Sequence, residues 1–223
     1  MDWTPLFLTF KLALITTVIL MVLSVPIAYW LAFSKSKIKP VFEALVSMPL
    51  VLPPTVLGFY LLVAFSPSNN FGNWLETWLG LRLIFSFEGL VFASIIYSLP
   101  FMVHPLQAGL SQVPKSIIDA SYVLGKSRIE TLIKVLLPNI KPSILTGLVL
   151  TFAHTIGEFG VVLMIGGNIP GQTKVASIAI FDEVEALNYG AANQYSFLLF
   201  AISFTILLMV YLVNGNKINR YIK

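Results

Sequence analysis

The sequence predicts an all-α polytopic membrane protein with five transmembrane helices, its N-terminus outside and its C-terminus inside. Three observations carry that prediction. Of 223 residues, 57% are hydrophobic and 11% charged, against roughly 25% charged in soluble domains, so the polar groups could not cover a globular surface. The apolar residues gather in five runs, each near the ~20 residues that cross a bilayer. Lys and Arg collect in alternate connections, as cytoplasmic loops require.

The expected spans cover residues 10–33, 44–65, 89–107, 142–165 and 195–213. A sixth apolar segment, 71–81, is too short to cross; Trp74 and Trp78 four residues apart and the central Glu76 predict an amphipathic helix on the membrane surface. With five spans, Lys35, Lys37, Lys39, Lys115, Lys126, Arg128, Lys134, Lys141, Lys217, Arg220 and Lys223 fall on one side. Lys11, Arg82 and Lys174 fall on the other, with Asp2, Glu76, Glu88, Asp182, Glu183 and Glu185. The first side is therefore cytoplasmic. Met1-Asp2-Trp3 has no basic n-region, so no cleavable signal peptide is expected.

Composition removes several function classes. There is no cysteine, which excludes disulfides, thiolate metal sites and cysteine nucleophiles. Two histidines, His104 and His154, are too few for most zinc sites. No phosphate-binding lysine loop, metalloprotease helix or serine elbow occurs, so no catalytic residue, metal or cofactor is expected. The basic residues are spread over three loops as topology determinants, which argues against nucleic acid.

The cytoplasmic stretch 110–141 is longer than neighbouring helices need. Pro114 can open a helix; Ile117, Ile118, Tyr122, Val123 and Leu124 recur at helical spacing; Gly125 can close it. A second helix is expected over 129–137, stopping at Pro138. So much apolar surface must be covered, either by the protein's own bundle or by the groove of a partner.

Asp119-Ala120-Ser121, three residues, Gly125, nine residues and Val135-Leu136-Leu137-Pro138 resemble the EAA loop of ABC importer permeases. The differences are Asp for Glu, Ser for the second Ala and Val for Ile. Ser47-Met48-Pro49-Leu50-Val51-Leu52-Pro53-Pro54-Thr55-Val56-Leu57-Gly58 resembles the matching region of molybdate permeases (the ModB type). Thr155-Ile156-Gly157-Glu158-Phe159-Gly160 is similar to a run shared by molybdate, tungstate and sulfate permeases. Gly167-Asn168-Ile169-Pro170-Gly171-Gln172-Thr173 looks like one of the molybdate group in particular.

The resemblance implies a single transmembrane domain over 1–223 with the type I ABC importer permease fold and a cytoplasmic coupling helix. Asp119, Ala120, Ser121 and Gly125 would dock on an ATP-binding subunit, with Tyr122 and Leu124 as candidate anchors and the second helix on its own bundle. It also implies a homodimer, two ABC ATP-binding subunits, an external periplasmic or lipoprotein oxyanion-binding protein and a bacterial or archaeal inner membrane, with lipid around it. The cargo would be molybdate, moved by alternating access; tungstate and sulfate or thiosulfate are the neighbouring readings. An ATP-independent channel or secondary transporter, or a membrane scaffold, would leave these segments unexplained.

Pro49, Pro53 and Pro54 must kink or break the second span, as packing or as a pathway wall. Pro53, Pro54, Thr55 and Gly58 are thus pathway candidates. Glu158 is a carboxylate deep in an expected span, a functional candidate by default, although a negative charge suits an anion route badly. His154 lies four residues earlier on the expected face. The pair could be a structural hydrogen bond, a gating latch or half a metal site. With Gly157, Phe159 and Gly160 it forms the second candidate stretch, expected at an outer gate, where the two glycines would admit a close helix neighbour or a bend. Hydroxyls at Ser47, Thr55, Ser94, Ser98, Thr146, Thr151 and Thr155 complete the intramembrane polar inventory.

Overall fold

The computed structural model describes residues 2–218, and every regular element among them is helical. Arg220 and Lys223 lie outside the described residues. Three helices are long and apolar enough to cross a membrane, and two bent pairs bring the number to five if each pair counts as one span.

Helix α1 covers Thr4–Phe33. Asp2 accepts hydrogen bonds from the Thr4 amide (2.9 Å) and hydroxyl (2.6 Å) ahead of Pro5, so the first turn starts with satisfied donors. Its 30 residues reach about 45 Å, beyond the ~30 Å of hydrocarbon.

The second expected span is two helices, α2 (Lys39–Val51) and α3 (Pro54–Phe65), bent by 111°. A proline forces the residue before it out of the helical region. Pro53 holds Leu52 extended (ψ 135°), and Pro54 does the same to Pro53 (ψ 136°). Pro49 sits inside α2 without ending it. Helix α4 (Asn70–Leu79) follows, capped by the Asn69 side chain and closed by Gly80 at φ +64°.

Helix α5 (Phe87–Gln112) begins at Ser86, whose hydroxyl accepts from the Gly89 amide at 3.1 Å, and ends before Pro114. The stretch that follows forms α6 (Lys115–Val123), α7 (Arg128–Thr131), a π turn over Leu132–Leu136 and α8 (Leu137–Asn139). Pro138 therefore does not stop the second helix, as the sequence suggested. It lies in the first turn of α8 behind the wide π turn, which opens space where a proline ring would meet the carbonyl four residues back. The chain then kinks by 79° into α9 (Lys141–Ile156).

The fourth expected span breaks again, at residues 157–159, before the short α10 (Gly160–Gly166). Helix α11 (Ala176–Glu185) fills a stretch where the hydropathy pattern gives no span. Helix α12 (Tyr189–Ile218) begins six residues before the expected 195.

Two buried clusters fix the directions of these helices. Leu8, Leu12, Phe65, Leu90, Val161 and Ile165 share one cluster; Leu20, Leu31, Val46, Met102, Leu106, Leu136 and Ile140 share the other. Helices α1 and α5 are therefore parallel, and α9 runs against them. Residues 34–38 and the α6–α8 segment lie at one end, while Arg82, Lys174 and the 166–175 loop lie at the opposite end.

Candidate functional site

Two regions gather the sequence candidates, one at the basic end and one where the broken helices meet.

At the basic end α6 closes in a Schellman turn: the Lys126 amide donates to Ser121 O (3.1 Å) and the Gly125 amide to Tyr122 O (2.9 Å). This geometry needs a left-handed residue, and Gly125 has φ +75°. Ser127 immediately caps α7 in a reciprocal box with Glu130, Glu130 N to Ser127 Oγ at 3.2 Å and Ser127 N to Glu130 Oε2 at 3.3 Å. The Lys134 ammonium bonds Glu130 at 3.0 Å and, with the Ser127 amide, holds that carboxyl below its ordinary range. Two helix ends are thus satisfied within three residues, which makes the corner rigid.

The corner turns apolar groups outward. Val123 is 86% exposed, Leu124 76% and Ile129 70%, and Ile117, Tyr122 and Ile133 extend the face. Asp119 and Ala120 are exposed as well. Ser121 is not: it is buried, and its hydroxyl meets that of Thr131 at 2.9 Å, tying α6 to α7. The second helix divides its faces. Leu132, Leu136 and Leu137 pack on the α1–α5 cluster, while Ile129 and Ile133 join the exposed face. The expectation that this helix packs on its own bundle describes one row of it and not the other, because the helical period points opposite rows opposite ways.

In the second region α3 and α10 cross closely. A Cβ added at Gly58 would lie 2.8 Å from Met164 Cβ and 3.1 Å from Val161 Cα; one at Gly160 would lie 2.8 Å from Pro54 Cβ and 3.2 Å from the Thr55 amide. Pro53–Gly58 and Gly157–Gly160, read separately in the sequence, are therefore one structural unit. Pro53, Thr55 and Gly157 are exposed at its edge. Phe159 is half-buried against Phe181, with ring centroids 5.1 Å apart.

Glu158 is buried at the break. Its Oε2 accepts from the Ser94 hydroxyl at 2.8 Å, its backbone carbonyl accepts from Ser177 at 2.6 Å, and its Oε1 has no protein partner. His154 bonds Ser98 instead, Nδ1 to Oγ at 2.9 Å, between the rings of Tyr97 and Phe101 at 4.8 and 3.9 Å. Ser98 also meets Thr155 at 3.1 Å. The expected hydrogen bond or latch between His154 and Glu158 does not form. Residues four apart face each other only within a continuous helix, and α9 ends at Ile156 between them. Among the described residues no three His, Asp or Glu side chains converge.

The partners on α5 escaped the sequence reading as partners. Ser94 and Ser98 repeat the four-residue spacing of 154 and 158, and that matched spacing is the signal that could have paired them. Ser177, on the unforeseen α11, carried none.

Between this unit and the basic end, α2, α5 and α9 enclose a cavity of about 480 Å³ lined by Leu50, Phe101, His104, Gln112, Ser143 and Thr146 among others. Ser47 on α2 bonds His104 at 3.1 Å, and Gln107 donates to Glu43 at 2.8 Å. Two polar contacts thus hold α2 to α5. The arrangement offers a recess on one side and a closed, glycine-packed crossing on the other.

Comparison with known proteins agrees with this plan. Residues 24–217 match the family model described as binding-protein-dependent transport system inner membrane component. The molybdenum transport system permease protein ModB of Azotobacter vinelandii is 46% identical, covering 94% of this chain and 93% of that protein. The putative molybdenum transport system permease protein YvgM of Bacillus subtilis is 32% identical, covering 93% and 92%. In fold, the chain is similar to the inward-facing MetNI methionine ABC transporter, with a TM-score of 0.72 at 16% identity over 98% of this chain and 94% of that one. With a family model spanning both broken helices and the exposed corner, the chain belongs to the binding-protein-dependent transport system inner membrane components.

Proposed function

We propose that this chain is the permease subunit of an ATP-driven importer that passes molybdate from an external binding protein into the cytoplasm. In this reading residues 1–223 form one transmembrane domain of five spans, N-terminus outside and C-terminus inside. Two copies line the route, each docked to a separate ATP-binding subunit that performs the hydrolysis. The observation that carries the reading is the 46% identity to a molybdenum permease over 94% of the chain.

The exposed face of Val123, Leu124, Ile129 and Ile133 is the docking surface, with Asp119, Ala120 and Gly125 beside it. A motion of the ATP-binding subunit enters at this rigid corner and passes through Thr131 and Leu136 to the bundle. The α3–α10 crossing with Glu158 is the outer gate, and the cavity beside His104 is the inner vestibule. ATP can drive the exchange only by binding one of the two arrangements more tightly than the other. Hydroxyls and backbone amides suit a tetrahedral dianion that must not be held fast.

Reconstitution tests the reading. Proteoliposomes holding this chain, its ATP-binding subunit and its receptor should accumulate molybdate with ATP, and tungstate as a close competitor. Uptake by the chain alone would establish an ATP-independent transporter instead, and preferential sulfate uptake would move the cargo assignment.

A further inference from the structure

Helix α4 and the turn behind it have no part in docking or gating, yet they form an ordered surface. The inner side of α4 is held down: Gly72 is buried against the backbone of Phe65 and Ser66, and Leu75 packs on the cluster beneath. On the outer side Phe71, Trp74 and Trp78 stand in a row, half to three-quarters exposed, with Phe71 and Trp74 stacked at 6.2 Å. Leu79 and Leu81 continue it. In a chain that spans a membrane such a row lies among lipid, at the depth where tryptophan settles.

Arg82 follows directly, because Gly80 in the left-handed region turns the chain at the end of α4. The turn is pinned: Leu83 and Ile84 are buried, the Phe85 amide donates to Ile165 O at 2.8 Å, and the Ser86 hydroxyl donates to Arg82 O at 2.8 Å. Arg82, Phe85, Ser86, Gly167 and Ile169 line a cavity of about 520 Å³. At this end of the bundle Lys174 is paired with Asp182, and Lys11 lies 4.5 Å from the Phe87 ring centroid. Among the described residues Arg82 makes no ion pair.

We propose that the α4–α5 turn binds the headgroup of an anionic phospholipid, with Arg82 on the phosphate and the acyl chains along Phe71, Trp74 and Trp78. A guanidinium suits a phosphate because its planar fork makes two parallel hydrogen bonds. A free oxyanion would present the same tetrahedral oxygens, but it would leave the adjoining aromatic row without purpose. That continuity commits the site to lipid. It holds in whichever leaflet the turn lies, so it does not depend on the transport reading.

The test is native mass spectrometry of the full chain in its assembly, titrated with phosphatidylglycerol or phosphatidylcholine of matched acyl chains. Wild type should retain phosphatidylglycerol preferentially. Arg82→Ala should weaken that retention about tenfold, the loss of one charged hydrogen-bonding partner, and leave phosphatidylcholine unchanged. Arg82→Lys should recover part of it, and Trp78→Ala should weaken both lipids. Equal phosphatidylglycerol retention by Arg82→Ala and wild type overturns the proposal. So does displacement of the lipid by millimolar molybdate or phosphate, which would make this a free-anion site. An Arg82→Ala defect confined to receptor affinity would assign the turn to receptor docking and equally overturn it.

Discussion

At Gly125, on the α6–α7 corner, an added Cβ would meet nothing within 4 Å; at Gly160, where α3 crosses α10, it would lie 2.8 Å from Pro54 Cβ. The first glycine supplies a backbone angle that other residues rarely adopt, in open space. The second has an ordinary backbone and leaves no room. The surroundings differ in the same sense. The corner completes its own polar groups with a Schellman turn and a capping box, then exposes its apolar ones. The crossing buries its apolar groups and leaves a polar one, Glu158 Oε1, incomplete. The corner is finished internally and unfinished outside; the crossing is unfinished within.

That contrast can be broken at several points. Leu124→Asp should give the largest effect, lowering affinity for the ATP-binding subunit roughly hundredfold, as loss of a central anchor does. Co-purification and ATPase titration would measure it, with unchanged thermal unfolding of the isolated permease. Gly160→Val should destabilise the permease by about 3 kcal/mol through overpacking on Pro54 and Thr55, seen as a lower unfolding temperature, while docking persists. Ser94→Ala should cost about 2 kcal/mol, because it removes the hydroxyl that bonds buried Glu158. Glu158→Gln keeps an acceptor for Ser94, so it should fold normally and raise ATP hydrolysis uncoupled from uptake; unchanged coupling would remove Glu158 from the gate. Gly125→Ala should cost only about 1 kcal/mol, the left-handed backbone penalty, and a clash-sized loss there would erase the distinction between the two glycines.

The legible parts of the sequence were those with a local physical cause. Uninterrupted apolar runs gave α1, α5 and α12, and basic residues gathered 34–38 and the α6–α8 segment at one end. Pro53-Pro54 announced the first break, because proline constrains its predecessor wherever it stands. The second break had only a weaker mark, Gly157 and Gly160, which admit a bend or a close neighbour alike. Residues 157–159 contain no proline, and the chain leaves the helix where Glu158 and its carbonyl find Ser94 and Ser177 on other elements. A hydropathy pattern cannot register bonds between residues 64 positions apart. The same break undid the expected pairing of His154 with Glu158. Helix α11 was missed because its ten residues are too few to span and its last turn carries Asp182, Glu183 and Glu185. Ser121 was misplaced for a similar reason: its neighbours are exposed, and only Thr131 across the turn makes it an interior residue.

The two breaks also decide how stiffness is distributed. A helix carries load through its continuous ladder of backbone hydrogen bonds, and both α2–α3 and α9–α10 interrupt that ladder. Only α1, α5 and α12 run the length of the bundle as single helices, and even there Pro26 in α1 and Pro100 and Pro105 in α5 each remove one rung. Of these α5 alone runs directly into the α6–α7 corner, through Pro114. It is the one-piece link between that corner and Ser94, softened at its two prolines, while the broken pairs beside it offer no such continuous connection.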